Sequence, residues 1–102
     1  ETECLCLDIL VDRITKIVDG HEVVYNYAKF KCKNDLNAET FEVKPTAIYN
    51  GNTDNTMTSD YILSHKNEFI GKMLAIKFYE RTDKNIPFNA NAYGVRDYES
   101  ND

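Results

Sequence analysis

Tyr25, Tyr27, Lys29 and Lys31 recur at two-residue intervals. In an extended strand that spacing puts all four side chains on one face. Rings that stack on bases or sugars, beside ammonium groups that meet phosphates, are the parts a nucleic-acid-binding surface needs. An exposed strand of β-favouring tyrosines and solubilising lysines reads the same way without a ligand, so the stripe by itself does not separate the two. Lys77 and Tyr79 repeat the alternation later in the chain.

Groups for catalysis are sparse. His21 and His65 have no carboxylate or cysteine at a motif spacing, which suits exposed or capping roles. Lys16-Ile17-Val18-Asp19-Gly20 carries one residue too many for the K-x-D-G nucleophile motif. No P-loop, G-x-G-x-x-G or H-E-x-x-H occurs. The Asn- and Asp-rich stretch 50–55 offers oxygens for a hard cation but lacks the spaced ligands and terminal Glu of an EF-hand loop, so it reads as a turn. Cys4-x-Cys6 is one residue short of a zinc C-x-x-C and has no second pair. With Cys32 the three cysteines read as small buried hydrophobes in a reducing compartment. No metal site is expected.

The charges narrow the partners. Twelve basic against 17 acidic residues give a net charge of −5, which argues against an indiscriminate polyanion binder. The distribution is uneven, however: residues 23–34 hold Lys29, Lys31 and Lys33 and no acid, between acidic ends. Such a strip can meet phosphate in one orientation.

The elements that must position these groups fit one domain of 102 residues, 42% hydrophobic and 28% charged. No apolar run reaches the roughly 18 residues of a spanning helix, so no membrane partner is expected. Neither a basic signal-like start nor an N-x-S/T acceptor occurs, and the expected setting is intracellular, cytoplasmic or nuclear. Residues 4–18 alternate through Leu5, Leu7, Ile9 and Val11, then slip phase to Ile14 and Val18, which predicts a strand with a bulge. Asp19-Gly20 supplies a hairpin turn into a second strand over 23–32, with Val24, Ala28, Phe30 and Cys32 inward. Asn34-Asp35-Leu36-Asn37 is a turn, and a third strand covers 39–43 before Pro45. Thr58-Ser59-Asp60 caps one helix carrying Tyr61, Ile62, Phe69 and Ile70, stopped at Gly71. A fourth strand over 72–80 turns Leu74, Ile76 and Phe78 inward. After a turn at 82–85, residues 92–98 close as the last strand. The fold class expected is all-β with one helix, in the β-β-β-α-β-β order of the five-stranded OB barrel.

Phe69-Ile70-Gly71-Lys72-Met73-Leu74-Ala75-Ile76-Lys77-Phe78-Tyr79-Glu80-Arg81-Thr82 is followed by Pro87-Phe88 and by Arg96-Asp97. This run resembles the corresponding strand, Pro-Phe pair and last nucleotidyltransferase motif in the OB domain of ATP-dependent DNA ligases. The resemblance is motif-like from Phe69 to Asp97, while the order of the earlier elements is also similar. Here Arg96 is followed by Asp-Tyr-Glu, where the family usually has R-x-D-K, and Ile86 replaces the basic residue before the Pro-Phe pair.

That resemblance implies a domain that grips nicked duplex DNA, with Lys29, Lys31, Lys72 and Lys77 on phosphates and Tyr25 and Tyr27 beside them. Arg96 and Asp97 would assist adenylation by orienting the leaving pyrophosphate. The lysine nucleophile, ATP and magnesium would belong to an upstream nucleotidyltransferase domain of a longer, viral or phage-like ligase, this domain binding no cofactor alone. The alternative expectation is a stand-alone OB module that binds single-stranded nucleic acid or a protein.

Overall fold

In a computed structural model of the chain, which describes residues 1–96, the first two strands dominate. β1 (Thr2–Val18) and β2 (His21–Lys33) form a long antiparallel hairpin around Asp19-Gly20. Both turn residues have positive φ, 51° and 79°, the left-handed pair that a two-residue hairpin of matching twist requires and that Asp-Gly readily supplies. β3 (Thr40–Pro45) pairs with the far end of β2. β4 (Ile48–Tyr49) and β5 (Asn52–Thr53) make a minute hairpin around Asn50-Gly51, in the stretch expected to be loop.

The short helix α1 (Ser59–Ser64) comes next, with Thr58 as N-cap accepting from the Tyr61 amide, as the sequence predicts. One continuous helix to Ile70 is not what forms. His65 leaves helical geometry at φ −132° and ψ 44°, and a separate 3₁₀ turn (Lys66–Glu68) follows. Ser64, His65 and Asn67 give that turn little helix propensity, and burial of Phe69 rather than propensity decides its path. Gly71 ends the segment at φ 85°.

β6 (Met73–Lys77), β7 (Glu80–Arg81), β8 (Pro87–Phe88) and β9 (Asn91–Arg96) complete the described chain. The last strand therefore starts one residue earlier than expected, and Asp97 and Tyr98 lie outside the described residues. β1, β2, β3, β9 and β6 close into a barrel in that order. Closure depends on a parallel contact of β3 with β9, Lys44 beside Asn91 and Pro45 beside Ala92; β6 then returns antiparallel to β1. The architecture is mostly β with one short α-helix, which lies between the third and fourth barrel strands.

The core sits inside the barrel and under α1. Phe30, Val43, Leu74, Ile76 and Ala92 fill it, with Met57, Ile62 and Phe69 covering one end. Phe30 and Phe69 meet with ring centroids 5.6 Å apart. All three cysteines are buried and free.

Two inward assignments, Val24 and Phe78, change, and the bulge of β1 moves. The bulge lies between Cys6 and Asp8, earlier than the phase slip near Ile14, so Cys4, Cys6 and Ile9 are buried while Leu7 and Val11 are exposed. Val24 is 52% exposed because β2 has left the barrel at that point. On β6, Leu74 and Ile76 point in as expected, but Ala75 is buried too. Phe78 lies past the end of that strand, half-buried, with the Arg81 guanidinium 4.7 Å from its ring centre.

Candidate nucleic-acid interface

The β1–β2 hairpin outruns the barrel. β6 pairs with β1 only from Thr2 to Leu5, and β3 with β2 only from Phe30 to Lys33. Beyond those limits the strands pair with each other as a two-stranded arm, and the molecule extends 50 Å along its longest axis.

On one face of the arm Tyr25 and Tyr27 stack with centroids 6.3 Å apart. The Lys16 ammonium lies 5.4 Å from the Tyr25 ring centre and 5.8 Å from that of Tyr27. It also donates to the Tyr27 hydroxyl at 3.5 Å. Lys16 is the residue the strand-by-strand reading missed. A two-residue turn at Asp19-Gly20 sets Val18 opposite His21 and therefore Lys16 opposite Val23, on the face of Tyr25 and Tyr27. The hairpin register held that signal.

The two lysines of the stripe have different surroundings. Lys29 donates to Asp12 at 2.7 Å and to Glu42 at 3.2 Å, and the Asp12 bond first, then the Glu42 bond, holds its pKa above the ordinary lysine value. Its charge is matched within the fold. Lys31 is exposed, next to Asp8 on β1 and Glu42 on β3 in the ladders, and has no salt bridge among the described residues.

At the foot of the arm a cleft of about 250 Å³ opens between the two strands, the end of β3 and the start of α1. Lys16, Tyr27, Lys29, Lys44, Asp12 and Ser59 contribute its polar lining. The Ser59 hydroxyl accepts the Ala28 amide at 2.9 Å, which anchors α1 to the strand where β3 no longer covers it. Lys44 is exposed.

Lys72 and Lys77 flank β6 at opposite ends. The Lys72 main chain joins the 3₁₀ segment to the barrel, donating to Phe69 O at 3.0 Å and accepting from Cys6 N at 2.9 Å. Lys77 lies 5.6 Å from the centre of the Tyr49 ring. Tyr49 in turn stacks on Tyr93 at 3.8 Å, and the Arg96 guanidinium is 5.8 Å from the Tyr93 centre. The structure thus gathers Lys77 and Arg96 around two tyrosines that sequence reading did not single out. Arg96 also pairs with Glu3 at 3.4 Å. The Tyr93 hydroxyl donates to the Glu1 carboxylate; that bond above all, with burial second, pushes its pKa up to about 12. Asp97, the other half of the expected pair, lies outside the described residues. Tyr79 is 80% exposed and extends neither cluster.

The remaining reactive groups are structural. Burial pushes the Cys4 and Cys6 thiols up to about 11 and Cys32 higher still, the opposite of an activated nucleophile. His65 stacks on Tyr61 at 3.9 Å and its Nδ1 is 2.9 Å from the Tyr61 carbonyl. Among the described residues no three His, Cys, Asp or Glu side chains converge to hold a metal ion. No helix of the described residues is long and apolar enough to cross a membrane.

No family model matches the chain, and no curated protein matches it. The functional reading rests on the geometry and the sequence run from Phe69 to Asp97.

Proposed function

We propose that this chain is an OB-fold domain that grips the backbone of nicked duplex DNA, of the type ATP-dependent DNA ligases carry after their nucleotidyltransferase domain. The barrel order β1-β2-β3-β9-β6, its parallel β3–β9 seam and the helix before β6 support the OB assignment. The observation that carries the binding reading is the Tyr25–Tyr27–Lys16 cluster beside the Lys44 cleft. Lys31 and Lys44 meet phosphates there, Tyr25 and Tyr27 pack on sugars or bases, and Lys16 holds the two rings together. Lys72 and Lys77 touch the backbone further round the barrel. Lys29, matched by Asp12 and Glu42, orders the strip rather than adding positive charge to it.

In the ligase reading ATP and magnesium bind the nucleotidyltransferase domain, and Arg96 with Asp97 assists adenylation. An arginine fork against a departing pyrophosphate stabilises developing negative charge. To serve so, Arg96 exchanges its Glu3 partner for phosphate oxygens.

The test is anisotropy of labelled nicked duplex, intact duplex and single strand against this chain over a salt series. Two to four phosphate contacts give a log–log slope of about −2 to −4 on duplex and a Kd of roughly 10⁻⁴ to 10⁻⁶ M. Tyr25→Ala/Tyr27→Ala and Lys31→Ala/Lys44→Ala should each weaken binding. If both bind as the parent does, the arm is a solvated surface. A clear preference for single strand favours the stand-alone module, because the same rings stack unpaired bases.

A further inference from the structure

The arm leaves an edge of β1 uncovered. Ala28 gives its amide to Ser59 rather than to β1, so the even-numbered residues of β2 turn their backbone groups away from the hairpin. Their partners in the ladder, Ile9, Val11, Arg13, Thr15 and Ile17, do the same on β1. Ile9 agrees with this, since its amide donates to the Asp8 carboxylate at 2.8 Å. From Val11 to Ile17 no main-chain partner other than β2 occurs among the described residues. Neither proline nor a bulge blunts this stretch, and Val11, Ile14, Ile17 and Val18 are all exposed. An isolated two-stranded ribbon is only marginally stable in water, so such an edge calls for another strand.

We propose that this edge pairs with the same edge of a second copy, antiparallel and centred on Ile14, to give a four-stranded sheet across a two-fold axis. The sequence is self-complementary about that residue. Asp12 falls opposite Lys16 of the other copy, and Lys16 opposite its Asp12. Val11 meets Ile17, Leu10 meets Val18, and Arg13 faces the neutral Thr15. Lys16 has no carboxylate partner within its own chain among the described residues, so each Asp12–Lys16 contact is new. The backbone phase agrees: Ile14 is a closely spaced pair without hydrogen bonds, flanked by Arg13–Thr15 pairs that exchange both of theirs. Neighbouring registers are worse. One residue toward the N-terminus sets Arg13 against Arg13, and one residue the other way sets Lys16 against Ile14 and Asp12 against Val18. An isologous contact of this kind closes the two β1 edges on each other at two copies. The Tyr25 and Tyr27 rings stay open, while Lys16 is shared between the paired edge and the ring cluster.

Sedimentation of the parent chain should show a reversible monomer–dimer equilibrium in the micromolar range, as suits a small interface. Under mild oxidation Ile14→Cys should form a disulfide-linked dimer and Thr15→Cys should not, since only residue 14 opposes itself. Asp12→Lys and Lys16→Glu, each checked for folding by circular dichroism, should be monomeric alone and form a heterodimer when mixed. A parent that remains monomeric, equal cross-linking at residues 14 and 15, or a mixture that stays monomeric would overturn the proposal. So would amides of the Val11–Ile17 edge that are protected from hydrogen exchange only when DNA is added, which would assign the edge to nucleic acid.

Discussion

Tyr49 and Tyr93 lie ring against ring, with centroids 3.8 Å apart and planes 8° from parallel. Lys77 approaches the first and Arg96 the second, so two cations bracket a tyrosine pair. Tyr93 comes from a barrel strand and Tyr49 from the minute hairpin β4–β5, so the stack ties that hairpin to the barrel.

The Tyr93–Glu1 bond gives this cluster a distinct titration. Tyr93 is neutral when protonated, and its raised pKa means the fold favours that form. Its contribution to stability is therefore complete below the ordinary tyrosine value of about 10 and is lost as pH rises through about 12. Tyr93 should give a phenolate absorbance step displaced to high pH. In Tyr93→Phe that late step should vanish and the melting temperature near neutral pH should fall modestly, the difference from the parent closing as pH rises through about 12. A variant that keeps the late step assigns it to another tyrosine.

Asp35 and Arg81 make the reciprocal case at acid pH. The guanidinium donates to both carboxylate oxygens, each at 2.9 Å, and to Asn85 O at 2.9 Å. It thereby joins the turn after β2 to the β7–β8 hairpin. Arg81 first, opposed in part by burial, lowers the Asp35 pKa below the usual carboxylate value. A depressed folded pKa means the stabilisation is present above the unfolded Asp value and fades as pH falls through the folded one. Asp35→Asn should lose about 1 kcal/mol near pH 7 and nothing further in acid, so its melting temperature should converge on the parent's as pH drops. Parallel pH curves for the two proteins would show that the pair contributes no linkage.

Alternation carried the strands, and turn chemistry carried their connections: Asp19-Gly20 and Asn34 to Asn37 all turn where their residue types say they should. What alternation could not reveal is where a strand stops being barrel. Val24 has the same parity as Ala28 and Phe30, yet nothing covers it, because coverage depends on the lengths of β3 and β6. The same limit applies to the site. Tyr25, Tyr27, Lys29 and Lys31 do share a face, but the acids matching Lys29 come from β1 and β3. Tyr49 borders the stretch 50–55 that reads as a turn, so its pairing with Tyr93 had no local signal at all.

Core and periphery should separate on two phenylalanines. Phe30 is fully buried against Phe69, so Phe30→Ala removes a whole ring from a packed interior and should cost about 3–5 kcal/mol. Phe78, expected to be equally interior, is half-buried beneath Arg81, and its replacement by Ala should cost distinctly less. Denaturant unfolding of both variants measures the difference. Equal losses would mean that the Arg81–Phe78 cap is as integral to the barrel as its centre.

The salt dependence of DNA binding should distinguish Lys29 from Lys31, two residues apart on one strand face. A lysine that releases a counterion on binding contributes about −0.9 to the log–log slope for duplex. Lys31 is exposed without a salt bridge among the described residues, so Lys31→Ala should make the slope shallower by about that amount. Lys29 is already held by Asp12 and Glu42, and a phosphate would have to displace two carboxylates to reach it. Lys29→Ala should therefore leave the slope nearly unchanged. It should weaken binding modestly at every salt concentration, because two acids next to the phosphate path lose their counter-charge. Neutralising those acids together with the lysine, in Asp12→Asn/Lys29→Ala/Glu42→Gln, should restore or exceed parental affinity. Should Lys29→Ala flatten the slope as much as Lys31→Ala does, Lys29 exchanges its acids for phosphate on binding and belongs to the contact surface.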